Sequence, residues 1–125
     1  MNAILKQIVI FDDDPDILSI CSYILEEMGF IVHCFIDCID IEVKVAAILP
    51  DVILMDNWIP DEGGIKATQR LKKNESLKKI PVIYFSANSD IQQLSKQAGA
   101  DNYLAKPFNL EDLQAIIEHT LNIGY

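Results

Sequence analysis

Pro50-Asp51-Val52-Ile53-Leu54-Met55-Asp56-Asn57-Trp58-Ile59-Pro60-Asp61-Glu62-Gly63-Gly64 is the stretch on which the fold turns. Four consecutive apolar residues, rich in β-branched types and opened by a proline, read as a strand buried on both faces, as in a parallel sheet covered by helices. The run ends abruptly on a carboxylate. In open α/β sheets the groups just beyond the carboxyl ends of the strands line the functional crevice, so Asp56 is presented there. Pro60 and Gly63-Gly64 shape the loop behind it.

Outward from this strand the chain repeats the same unit. Gln7 to Phe11 is a second doubly buried strand, and it too ends on acids, Asp12-Asp13-Asp14. Asp14 can cap the helix that follows and Pro15 suits its first turn. Ile17, Leu18, Cys21, Ile24, Leu25 and Met28 share one helical face, and Gly29 stops the helix. Ile31 to Phe35 is a strand, after which Asp37 can cap the next element. That element, Ile39 to Leu49, alternates apolar and polar residues with period two in its first half, which locally favours a strand. Its length, and the helical crossover that two parallel strands require, make it a helix closed by Pro50.

Beyond the central loop, Ile65 to Lys73 is a short helix with Ile65, Thr68 and Leu71 on one side. Pro81 to Phe85 is a fourth strand that delivers Ser86 to the edge where the acids lie. Ser89 and Gln92 form a capping-box signature for a helix reaching Ala98, stopped by Gly99. Asn102 to Ala105 is a short last strand ending at Lys106-Pro107. Asn109 caps a terminal helix whose apolar face is Leu110, Leu113, Ile116, Ile117 and Leu121. Strands alternate with helices throughout, so the fold class is α/β, a doubly wound sheet forming one domain over residues 1–125.

Composition narrows the function. A net charge of −9 disfavours nucleic acid and anionic membranes, and the ten basic residues read as scattered, with only Lys72-Lys73 and Lys78-Lys79 adjacent. No apolar run approaches the length of a membrane span, and Met1-Asn2-Ala3 opens no signal peptide. Three cysteines, Cys21, Cys34 and Cys38, argue against a disulfide framework, and the chain reads as cytoplasmic. His33, Cys34 and Cys38 match no zinc spacing, so the cysteines are expected to be small buried or half-buried side chains. His33 and His119 are expected to have no role.

Acids after strand one, Asp56 after strand three, Ser86 after strand four and Lys106-Pro107 after strand five resemble the receiver domain of two-component response regulators. The resemblance runs through nearly the whole chain and includes Gly99-Ala100-Asp101 and Lys106-Pro107-Phe108. It implies a flavodoxin-like five-stranded parallel sheet in the order 2-1-3-4-5, which gathers these strand ends around one crevice. It implies that Asp56 takes a phosphoryl group from a phosphohistidine, borne by a histidine kinase or a histidine phosphotransfer protein. Asp13, Asp56 and the backbone carbonyl of Trp58 would ligate Mg²⁺, with Asp12 acting mainly through water. Lys106 would balance the phosphoryl charge, Ser86 would donate a hydrogen bond to it, and Tyr103 would be the aromatic switch. The Lys106–Pro107 peptide is expected to be cis.

Departures from the family pattern carry expectations of their own. Gly63 stands where Asp or Asn is usual and Ile59 where Met is common, while Trp58 occupies a position that tunes phosphoryl lifetime. A bulky indole there predicts slow self-dephosphorylation. Asn88 occupies the second lifetime position and predicts nothing by itself. The segment from Ser86 to Gly99 is about two residues shorter than in many members, which bears on the output face from helix four to helix five and on a homodimer through it. The downstream target is a protein of unknown identity. Met1 close to strand one and the short tail Asn122-Ile123-Gly124-Tyr125 favour a stand-alone receiver over a fragment. Two other classes fit parts of the pattern. One is an interaction module of the same fold that works without phosphorylation. The other is a haloacid-dehalogenase-like phosphatase reading the D-x-D of Asp12-Asp13-Asp14, with Asp12 as nucleophile and Asp14 as acid.

Overall fold

Five parallel strands order themselves β2-β1-β3-β4-β5, so that β3 lies at the centre and the chain reverses its direction of travel between β1 and β3. They are β1 (Gln7–Phe11), β2 (Ile31–Phe35), β3 (Val52–Asp56), β4 (Val82–Ser86) and β5 (Asn102–Ala105). The helices between and after them are α1 (Pro15–Glu27), α2 (Ile41–Ile48), α3 (Gly64–Lys73), α4 (Ile91–Ala98) and α5 (Leu110–Leu121). The computed structural model describes residues 6–122. Met1-Asn2-Ala3 and Ile123-Gly124-Tyr125, on which the expectations about a leader and a tail rest, lie outside them.

Because successive side chains of a strand point to opposite faces, the sheet divides the core into two apolar layers. Val9, Phe11, Ile53, Met55, Val82 and Tyr84 meet α2, α3 and α4 on one face. Ile8, Ile10, Leu54, Ile83 and Phe85 meet α1 and α5 on the other. β3 and β4 are buried along their whole length, whereas the edge strands β2 and β5 have only half-buried and exposed positions. A fully buried Ile or Leu on the central strands contributes about 2 kcal/mol.

The helix over Ile41–Ile48 forms as expected, and its burial explains the misleading pattern. Of the period-two residues only Ile41 and Val45, four apart, face the core, while Ile39 and Val43 are 50% and 69% exposed. Asp14 caps α1 by accepting from the Asp16 N–H, and Asn109 with Asp112 forms a complete capping box on α5.

Four expectations are corrected. Asp37 does not cap α2; it accepts from the Ile39 N–H at 3.0 Å in a local turn, and α2 begins two residues later. The Ser89–Gln92 box is not formed, because Asn88 makes the local bond instead, accepting from the Asp90 N–H at 2.8 Å ahead of α4. In both cases an Asx turn outcompetes a helix cap. Cys34 lies exposed on the edge strand β2, unlike the buried Cys21 and Cys38. The basic residues are not scattered, since six of the ten fall between Lys66 and Lys79, on α3 and the turn after it.

Candidate functional site

The site is built at the carboxyl ends of β1, β3, β4 and β5. Asp12 follows β1 and is 1% exposed, its backbone N–H bonded to the Phe35 carbonyl on β2. Asp56 ends β3 and is 5% exposed. Ser86 ends β4 and is buried, its hydroxyl accepting from the Asn88 N–H at 3.1 Å. The Lys106 N–H bonds the Ser86 carbonyl at 2.9 Å, which sets the end of β5 against the end of β4. The Lys106–Pro107 peptide is cis.

From there the Lys106 side chain crosses the crevice over the Phe85 ring, its Nζ 4.4 Å from the ring centroid. It donates to Asp12 Oδ2 at 2.7 Å and to Asp56 Oδ1 at 2.9 Å. Asp12 Oδ1 accepts from the Asp14 N–H and Asp56 Oδ2 from the Trp58 N–H, at 2.9 and 3.0 Å. Burial pushes the Asp12 carboxyl above its ordinary value, outweighing the Lys106 and Asp14 hydrogen bonds that pull it down. For Lys106 burial acts to lower the ammonium, and the bonds to Asp12 and Asp56 overcome it and hold the group above the usual lysine value.

Asp12, the exposed Asp13 and Asp56 each bring a carboxylate oxygen within 4.8 Å of the others. Three carboxylates face one ammonium, so the cluster retains negative charge. All its donors are hard oxygens, the set preferred by Mg²⁺. The residues present therefore fit that ion. Asp14, which the phosphatase reading needs as its acid, is instead occupied as the cap of α1.

Around this centre lie the residues expected to modulate it. Tyr103 stands on the edge strand β5, 41% exposed. Trp58 projects its indole into solvent at 73% exposure, along a shallow groove shared with Ile65, Asn88, Leu94 and Gln97. His33 bonds the side chain of Gln7 at 2.8 Å, away from the crevice. Two residues went unnoticed in the sequence. Tyr84, fully buried in β4, donates its hydroxyl to the side-chain oxygen of Asn57, the residue after Asp56. Burial, reinforced by the Asp56 charge, holds that phenol well above its ordinary pKa. The available signal was a tyrosine inside a doubly buried strand, whose hydroxyl must find a partner.

The profile of the response regulator receiver domain matches residues 8–118. The chain belongs to the response regulator receiver family. This receiver is 34% identical over 119 residues to the DNA-binding dual master transcriptional regulator RpaA of Synechocystis sp., covering 94% of the chain and 49% of that protein. It is 32% identical over 125 residues to the regulatory protein AtoC of Escherichia coli, covering 98% of the chain and 26% of AtoC. The chain thus spans about half the length, or less, of these curated relatives. Among solved structures it resembles the receiver domain of a Pseudomonas aeruginosa sensor histidine kinase, which has a magnesium ion coordinated in its active-site cleft. That likeness has a TM-score of 0.86 at 29% identity, covering 95% of this chain and 99% of the other. A CheY-like receiver from Methanospirillum hungatei gives 0.84 at 29% identity, with 95% of each chain covered.

Receivers are signalling domains of two-component systems, generally not enzymes. As a family they are phosphorylated on aspartate, bind Mg²⁺ in the acidic site and interact with histidine kinases and phosphotransfer proteins. No described helix of this receiver is long and apolar enough to cross a membrane.

Proposed function

We propose that this receiver is an Mg²⁺-dependent phosphoacceptor in which Asp56 takes the phosphoryl group from a histidine kinase or histidine phosphotransfer protein. The observation that carries the reading is the double grip of Lys106 on Asp12 and Asp56, at 2.7 and 2.9 Å, beside the three-carboxylate cluster. A carboxylate that attacks phosphorus meets a shell of anionic oxygens, so charge neutralisation and alignment decide whether transfer occurs. Lys106 is already placed to follow the charge from the carboxylate to the arriving phosphoryl oxygens. The Trp58 N–H holds one Asp56 oxygen and so orients the nucleophile. Asp13, Asp56 and the Trp58 carbonyl would hold Mg²⁺, with Asp12 acting mainly through water; when bound, the ion supplies further neutralisation of phosphoryl charge.

Ser86, buried at the end of β4, donates to a phosphoryl oxygen after its hydroxyl leaves the Asn88 N–H, and Tyr103 turns inward as Ser86 moves. That pair switches a protein-binding surface along α4, β5 and α5, where a homodimer could also form. Trp58, exposed beside the acceptor, hinders attacking water. We expect a phosphoryl lifetime of minutes or longer in a phosphate-release assay, and a half-life of seconds would contradict this.

Trp58 is also the only tryptophan, and so reports on the site directly. Its fluorescence should respond saturably to Mg²⁺ and then to beryllofluoride, a phosphoryl mimic, with the second response absent in Asp56→Asn. A beryllofluoride response retained in Asp56→Asn would remove Asp56 from the acceptor role.

A further inference from the structure

Tyr84 carries a hydroxyl where a strand between two helical layers ordinarily carries only hydrocarbon. Its ring is fully buried among the layer that contains Met55, Ala67 and Ile91, and in register it sits between Met55 of β3 and Tyr103 of β5. Its hydroxyl reaches the loop after β3 and donates to the side-chain oxygen of Asn57. Asn57 is itself buried, and its backbone carbonyl accepts the Gly64 N–H at 2.9 Å. The three groups fit closely, since a Cβ on Gly64 would stand 3.0 Å from the Tyr84 hydroxyl oxygen. Phenol, amide and glycine thus close one contact directly behind Asp56.

We propose that Tyr84 is a positioning residue for phosphoryl uptake: its hydroxyl holds Asn57, and with it the 57–58 backbone, in fixed relation to β4, the strand that ends in Ser86. The inference rests on Asp56 being the acceptor. Through the Trp58 N–H the 57–58 backbone orients one oxygen of Asp56, while Ser86, two residues beyond Tyr84, ends the neighbouring strand. One hydrogen bond therefore ties the loop that aims the nucleophile to the strand that meets its product. Phenylalanine at position 84 would fill the same core volume but leave the Asn57 oxygen buried without its donor. Displacement of reacting groups by about an ångström can slow a reaction by up to ~100-fold, so loosening of this loop is felt in rate.

The test compares wild type with Tyr84→Phe, Asn57→Ala and the double variant. Uptake from acetyl phosphate with Mg²⁺ is followed by intact mass, and Trp58 fluorescence anisotropy is read in metal-free protein. Tyr84→Phe should take up phosphoryl about tenfold more slowly than wild type. Its Trp58 anisotropy should fall, and the double variant should be no slower than Asn57→Ala. Wild-type uptake and anisotropy in Tyr84→Phe would overturn the proposal, even with a lowered Tm. So would slowing that adds in full to that of Asn57→Ala, because the hydroxyl would then act without Asn57. If wild type itself takes up no phosphoryl group, the acceptor reading fails, while the anisotropy arm still decides whether the hydroxyl holds the loop.

Discussion

Asp12 shows what the site demands of single residues. Its carboxylate is buried, its two oxygens are held by Lys106 and the Asp14 N–H, and burial still raises its pKa. Removing a charge from water is not fully repaid by one ammonium shared with a second acid. In metal-free protein Asp12→Asn should therefore raise stability, by about 1 kcal/mol in a urea titration, while shifting the Trp58 response to higher Mg²⁺ concentration. A loss of stability would show that the pair with Lys106 outweighs the burial. At this scale the sequence was legible wherever the chemistry is terminal to a strand. Asp12, Asp13 and Asp56 stand out by ending apolar runs, whereas Ser86 and Lys106 were singled out by resemblance to the family. Tyr84 and Asn57 did not, because their bond spans 27 residues and neither residue type is unusual in its own segment.

Among the elements, α3 shows how a helix is tied to the loop before it. Arg70 grips Glu62 through two bonds of 2.7 Å, and this pulls the Glu62 carboxylate below its ordinary value of 4.5. A depressed carboxylate adds stability in full above its unfolded pKa and loses that contribution as pH falls through the folded value. Wild type should exceed Glu62→Gln in stability at pH 7 by less than about 1 kcal/mol, because Arg70 is half exposed and solvent screens the pair. The gap should close progressively as the pH is lowered below 4.5. A gap that persists unchanged in acid would mean that packing, not charge, supplies it. Helix existence was readable from apolar spacing and from the crossover that parallel strands require, even where α2 carries a strand-like pattern. Helix starts were less so, because Asp37 and Asn88 satisfy nearby N–H groups in turns that mimic caps. Only the fold decides which donor each side chain reaches.

For the whole molecule, strand order converts separate residues into a site. The alternation of strands and helices indicated a doubly wound sheet, but the order 2-1-3-4-5 followed from resemblance to a family, since pattern alone does not say which strands are neighbours. That order brings the acids after β1 and β3 against Lys106 after β5, a contact spanning 94 residues to Asp12 and 50 to Asp56. The clustering of positive charge on α3 and its following turn became visible only when local density was set against an acidic whole. The account stands on Asp56 as the group that receives phosphorus. Intact-mass analysis of the protein incubated with acetyl phosphate and Mg²⁺ tests this most directly. One phosphoryl adduct is expected in wild type, lost when Mg²⁺ is chelated and absent in Asp56→Asn. No adduct in wild type, or an adduct that survives in Asp56→Asn, would contradict it.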